Sequence, residues 1–147
     1  MMEAINLSIG NRDGGPFGAV VVLNNEIIGK GSNKVTSLND PTAHAEIMAI
    51  RNACKNLNTF SLENSEIYTS CEPCPMCLAA IYWAHIKKIY YANTREDAAN
   101  IGFDDSYIYD QINLSVNKRA VESHQILRNE ALKAFQLWEL NLSKIRY

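Results

Sequence analysis

Pro41-Thr42-Ala43-His44-Ala45-Glu46 and Cys71-Glu72-Pro73-Cys74-Pro75-Met76-Cys77 are the two stretches whose reading decides the fold. They supply one imidazole, three thiols spaced three residues apart, and a carboxyl two residues after the histidine. His44, Cys74 and Cys77 are candidate zinc ligands. Zinc takes four ligands, so three from protein leave one position for water. Zinc lowers the pKa of that water to roughly 7, which makes hydroxide available as a nucleophile at neutral pH. Glu46 is the candidate proton shuttle, taking a proton from the water and handing it on. Gln at position 46 could not carry that proton, and Lys or Asp could not supply the thiolates.

The surroundings suit this reading. Asp40-Pro41 has the form of an N-cap followed by proline, which predicts a helix over 41–56. Pro75 predicts a second helix over 75–85, on which Cys74 and Cys77 share a face. A helix start carries partial positive charge and favours thiolate over thiol. Other readings exist for the same residues. The C-x-x-C could be a redox pair. Cys71 or Cys54 could complete a closed, structural four-ligand site. Glu46 could be an ordinary solvated helix residue. The joint pattern, H-x-E followed by P-C-x-x-C, is the signature of zinc deaminases acting on nucleobases.

Bulk properties narrow the class. The chain has 147 residues, enough for one domain with a core, and a single zinc domain over 1–147 is expected. No repeat, low-complexity segment or linker divides it. Four cysteines, two of them assigned to metal, make no disulfide framework, which points to a reducing, cytoplasmic setting. Met1-Met2-Glu3-Ala4 shows no signal-peptide pattern. The longest apolar run, Cys77–Ala84, is far short of the ~20 residues that span a bilayer, so no membrane association is expected. The net charge of −2 argues against a nucleic-acid partner. Lys87-Lys88 is the only adjacent lysine pair.

Along the chain, residues 2–10 read as a short helix. Gly14–Gly18 is a turn into a strand, Ala19–Leu23, and Asn24-Asn25 closes a hairpin onto Glu26–Gly31. Glu66–Ser70 and Lys88–Ala92 are strands separated by the second helix, which implies a parallel crossover. The expected class is α/β: a three-layer α/β/α fold with a mixed central sheet. Residues 93–128 resist assignment. An amphipathic helix is predicted from Asn129, as N-cap, to Leu142, with Phe135 and Trp138 read as core. The helix Cys77–Ala84 is apolar all round, which predicts burial on every side, in part by a second subunit.

These stretches resemble the cytidine deaminase superfamily and, within it, the bacterial guanine deaminases. The likeness runs over nearly the whole chain. It rests on Gly14–Val20, Asn39–Glu46, Tyr68–Cys77 with Ala80–Ala84, and Gly102-Phe103-Asp104-Asp105-Ser106. The segment before Gly14 is shorter than the first helix usual in that fold. The all-round apolar helix predicts a homodimer, and the resemblance implies a cytidine-deaminase-like fold. It implies hydrolysis of guanine to xanthine and ammonia, part of purine breakdown. It makes His44, Cys74 and Cys77 the Zn2+ ligands and Glu46 the shuttle. Asn33, Phe17, Ala45, Trp83 and Asp105 become substrate-binding residues, with the two aromatics flanking a flat purine. Asp105 is also a second catalytic acid, with a solvated loop acid as its alternative. The terminal Tyr147 could close over a pocket or could simply fray.

A cytosine, nucleoside or tRNA adenosine deaminase would share the same zinc site, and a silent zinc-binding partner subunit belongs to a different class. The acidic balance speaks against the tRNA substrate, the Asp104-Asp105 block against cytosine, and Glu46 against the silent subunit.

Overall fold

The computed structural model describes residues 1–146. Two compact units divide the chain, Met1–Ser106 and the stretch from Tyr107 onward.

In the first unit, α1 (Met2–Gly10) leads into β1 (Gly18–Leu23) and β2 (Glu26–Ser32). The hairpin turn is as expected: Asn24 and Asn25 both take positive φ, 51° and 65°, as a two-residue turn between twisted strands requires. A short helix, α2 (Val35–Leu38), precedes α3 (Ala45–Leu57). Then come β3 (Glu66–Cys71), α4 (Pro75–Trp83), β4 (Lys88–Asn93) and α5 (Arg95–Asn100). The described strands form one mixed sheet in the order β2-β1-β3-β4. β1 pairs antiparallel with β2 and β3, while β3 and β4 run parallel across the α4 crossover. Helices cover both faces. A side chain at Gly18 would strike α1, whereas one at Gly29 or Gly31 would strike the backbone of α3.

That second contact fixes the site. Ala45, Ala49 and Ala53 repeat every four residues and lie fully buried on the sheet side of α3. Opposite them, Gly29 and Gly31 have no Cβ, so the helix backbone sits directly on β2. Ala19, Val21, Ile67 and Ile81 complete the core on this face. Small residues on both sides pin the first turn of α3 against the sheet.

Two helix boundaries differ from expectation. α3 starts at Ala45, not Pro41, with His44 as its N-cap. The Asp40 carboxylate accepts from the Thr42 N–H and hydroxyl at 2.8 and 2.7 Å, and the His44 N–H donates to the Thr42 carbonyl. Asp40 therefore ties up a turn instead of capping a helix. In the second unit, α7 spans Arg128–Leu140 and its N-cap is Leu127, at φ 51°, with no side-chain cap. Asn129 is thus already inside the helix. This unit also holds most of α6 (Ser106–Asn113) and a 3-10 turn at Val116–Lys118. Phe135 is 73% exposed and Trp138 is also exposed, so neither is core. On α4, Tyr82 and Trp83 are exposed in the single chain, so that chain alone does not bury the helix on every side. Among the described residues no helix is long and apolar enough to cross a membrane.

Candidate active site

His44 and Cys74 are the N-caps of α3 and α4, and Cys77 lies in the first turn of α4 behind Pro75. Neither side chain makes a capping hydrogen bond. Both are turned toward each other instead. Cys74 Sγ and Cys77 Sγ each lie 3.6 Å from His44 Nδ1, and the three ligand atoms are mutually within 4.8 Å. With Zn–S at about 2.3 Å and Zn–N at about 2.0–2.1 Å, tetrahedral geometry sets sulfur and nitrogen about 3.6 Å apart. The donor set and its spacing therefore fit zinc, and the group is positioned to bind a metal ion.

Cys71 stands outside the group. Its thiol donates to the Thr94 carbonyl at 3.4 Å, and burial pushes its pKa up to about 11. A neutral, engaged thiol is a poor fourth ligand. Cys74 is the opposite. The hydrogen bond from Cys77 and then that from His44 pull it down to about 4 against the cost of burial. Cys77 is driven up by the same bond and by burial. His44 is raised, first by its bond to Cys74.

Glu46 lies in the first turn of α3 and is only 7% exposed. Burial raises its pKa, and the negative charge on Cys74 adds to the rise. A carboxyl displaced upward toward neutrality can both take and return a proton. Ala45, between it and His44, is buried against the sheet.

The remaining candidates are distributed as follows. Asn33, just past β2, is 5% exposed. Its Oδ1 accepts from the Gly15 and Val35 N–H groups at 3.2 and 3.1 Å. Phe17 packs against the core. Its aromatic neighbour is Phe103, edge-on at 5.0 Å. Trp83 stands at the other end of α4 from Cys74, about 13 Å along the axis at ~1.5 Å per residue, and is 67% exposed. Asp104 and Asp105 divide their duties. Asp104 accepts from the Ser106 N–H at 2.9 Å. Asp105 is half-buried, and its pKa is raised by desolvation and then by repulsion from the negative charge of Cys74. Tyr147 lies outside the described residues.

Phe103 and Asn11 escaped sequence reasoning. Phe103 belongs to the Gly102–Ser106 block, but nothing in that block signals a ring contact with Phe17. Asn11 donates to both the Gly15 and Asn33 carbonyls, and no sequence spacing announces that.

Known proteins agree with this geometry. Residues 1–93 match the family described as the cytidine and deoxycytidylate deaminase zinc-binding region. The chain is 50% identical to a guanine deaminase of Bacillus subtilis over 99% of its own length and 90% of the relative's. It is 40% identical to a tRNA-specific adenosine deaminase of Buchnera aphidicola over 80% and 76% of the two chains. The crystal structure of guanine deaminase from Bacillus subtilis superimposes with a TM-score of 0.95 at 48% identity, covering 99% and 95%. His44, Cys74 and Cys77 all lie within the matched zinc-binding region, and the chain belongs to the zinc-binding cytidine and deoxycytidylate deaminase family as a homologue of guanine deaminase.

Proposed function

We propose that the chain hydrolyses guanine to xanthine and ammonia, as an enzyme of purine breakdown. One observation carries the reading: the buried Glu46 carboxyl set against three metal-binding side chains, in a chain that is like a guanine deaminase from end to end. His44, Cys74 and Cys77 would hold Zn2+, which supplies an acidified water when bound. Glu46 takes a proton from that water. It would deliver that proton to the purine ring nitrogen, then carry the second proton, from the hydroxyl left on the ring carbon, to the amine that leaves as ammonia. Its raised pKa suits both directions of transfer.

The base is bound by side chains that need no metal. With Oδ1 committed to two backbone donors, Asn33 offers its amide N–H to an acceptor on the base. Phe17, held by Phe103, gives an apolar wall for a flat ring. The backbone at Ala45 forms the floor beside Glu46. Asp105 accepts from purine N–H groups or helps protonate the leaving amine. Trp83 is assigned to the pocket rim, on a face shared with a second copy of the chain. The exposed Tyr82, Tyr90, Tyr91 and Phe135 add apolar area that a homodimer would cover. The whole chain acts as one deaminase domain in this reading. The four free thiols suit the cytoplasm.

An ammonia-release screen over guanine, cytosine, adenine, cytidine and guanosine tests the substrate. Guanine is expected to give the highest kcat/KM. A cytosine-containing compound or an adenine outperforming it would overturn the guanine assignment.

A further inference from the structure

We propose that Asn11 is a positioning residue: its side-chain amide, shared between two backbone carbonyls, holds the Gly14–Phe17 turn onto Asn33 and so fixes which end of the Asn33 amide meets the substrate. The inference rests on Asn33 contacting the base, as in the reading above.

The bonds form a closed loop. Asn11 is the residue just past α1, and its Nδ2 donates to the Gly15 carbonyl at 2.7 Å and to the Asn33 carbonyl at 2.9 Å. Its Oδ1 accepts from the Asp13 N–H at 3.2 Å. All of its side-chain capacity at short range is thereby aimed at the turn. Gly15 closes the loop by donating its N–H to Asn33 Oδ1 at 3.2 Å, while its carbonyl receives Asn11. The Asn33 N–H donates to the Phe17 carbonyl at 3.1 Å. Gly14 makes this approach feasible. A Cβ there would collide with both the side chain and the backbone carbonyl of Asn33.

The loop decides a chemical question. An asparagine amide has a donor end and an acceptor end. Turning the Asn33 amide over would set its NH2 against the Gly15 and Val35 N–H groups, two donor–donor contacts. The bound orientation therefore keeps the acceptor end on the backbone. The donor end has no protein partner among the described residues, and it is not a sealed-off atom. The substrate must then bring an acceptor, such as a ring carbonyl. Val35 opens α2, whereas Gly15 sits in a turn, and its carbonyl accepts from the Phe17 N–H at 2.8 Å within the turn and from Asn11 at 2.7 Å outside it. Without Asn11, one of the two groups that orient Asn33 loses its anchor outside the turn. Displacements of about 1 Å at a binding group can cost as much as 10²-fold in rate.

The test uses the zinc-loaded full chain. Asn11→Ala removes all three bonds. Asn11→Asp keeps the shape and the acceptor for Asp13 and turns the two donated bonds into oxygen–oxygen contacts, so it serves if the alanine variant does not fold. Both are expected to lower kcat/KM for guanine about tenfold or more, with KM rising more than kcat falls. In an Asn33→Ala background the same changes should cost less than twofold, because the residue they act through is gone. Amide hydrogen exchange at Gly15, followed by NMR, should quicken in either variant. An equal loss in both backgrounds, or unchanged Gly15 exchange, would overturn the proposal. If the wild-type chain leaves guanine untouched, the substrate assignment fails on its own. Gly15 exchange and the Asn33 side-chain amide resonance in Asn11→Asp then still decide whether Asn11 holds the turn.

Discussion

His44, Cys74 and Thr94 occupy the same place on three helices, the residue just before the first turn, and use it differently. Their backbones are alike, extended at ψ 157°, 168° and 168°. Thr94 spends its side chain on the helix. Its hydroxyl accepts from the Asp97 N–H, and the Asp97 carboxylate accepts from the Thr94 N–H, a reciprocal capping box. His44 and Cys74 make no such bond. A cap of the Thr94 kind typically contributes about 1 kcal/mol, so α3 and α4 forgo that contribution at the ends that carry chemistry. What replaces it is the packing of Ala45, Ala49 and Ala53 on Gly29 and Gly31, which holds α3 without help from its cap. Local rules of helix stability are broken where the site is built and kept where it is not.

The hardest blow to this contrast is Cys74→Ala. If Cys74 serves metal and not helix, α4 should persist with unchanged circular dichroism while zinc, read by metal analysis, falls from about one atom per chain to near none. Turnover should vanish with it. Full zinc occupancy in that variant would break the ligand assignment. Loss of α4 would mean that Cys74 is a structural residue after all.

Glu46→Gln probes the same region one step further in. The amide keeps the size of the carboxyl and relieves the cost of burying a charge, so fold and zinc content should survive. Turnover should drop roughly 10²–10⁴-fold, the contribution typical of a general acid–base group. Near-normal turnover with zinc in place would strip Glu46 of its role.

The contrast between the two kinds of helix start was half legible in the sequence. His44, Glu46, Cys74 and Cys77 stood out because their chemistry depends on residue type at short spacing. Pro75 marked the start of α4 correctly. The start of α3 was misplaced because an aspartate before proline can cap a helix or bond two residues ahead, and Asp40 does the latter. The hairpin was readable since Asn24-Asn25 tolerate positive φ. The stripe on α7 was not. Periodicity identifies an apolar face but not what covers it, and Phe135 is exposed in this chain. Asn11 was invisible for a related reason: one of its two carbonyl partners is Asn33, 22 residues away.

The smallest expected effect belongs to the ordinary helix start. Thr94→Ala should lower stability by about 1 kcal/mol, a Tm decrease of about 2–4 °C for a chain of this length, with zinc content and kcat unchanged. Acid sharpens the comparison. The backbone N–H and then the hydroxyl of Thr94 hold the Asp97 carboxyl below the usual carboxylate range. A group whose pKa is depressed on folding contributes fully above its unfolded value, about 3.9 for aspartate. That contribution is lost as pH falls through the lower folded value. The Tm gap between wild type and Asp97→Asn should therefore be constant from pH 5 to 8, within the span set by those values, and should close below about pH 4. A gap that stays open in acid would mean that the carboxylate charge is not what α5 uses. Zinc lost from Thr94→Ala would mean that this helix start serves the metal site too, and the distinction drawn between the two kinds of N-cap would fall.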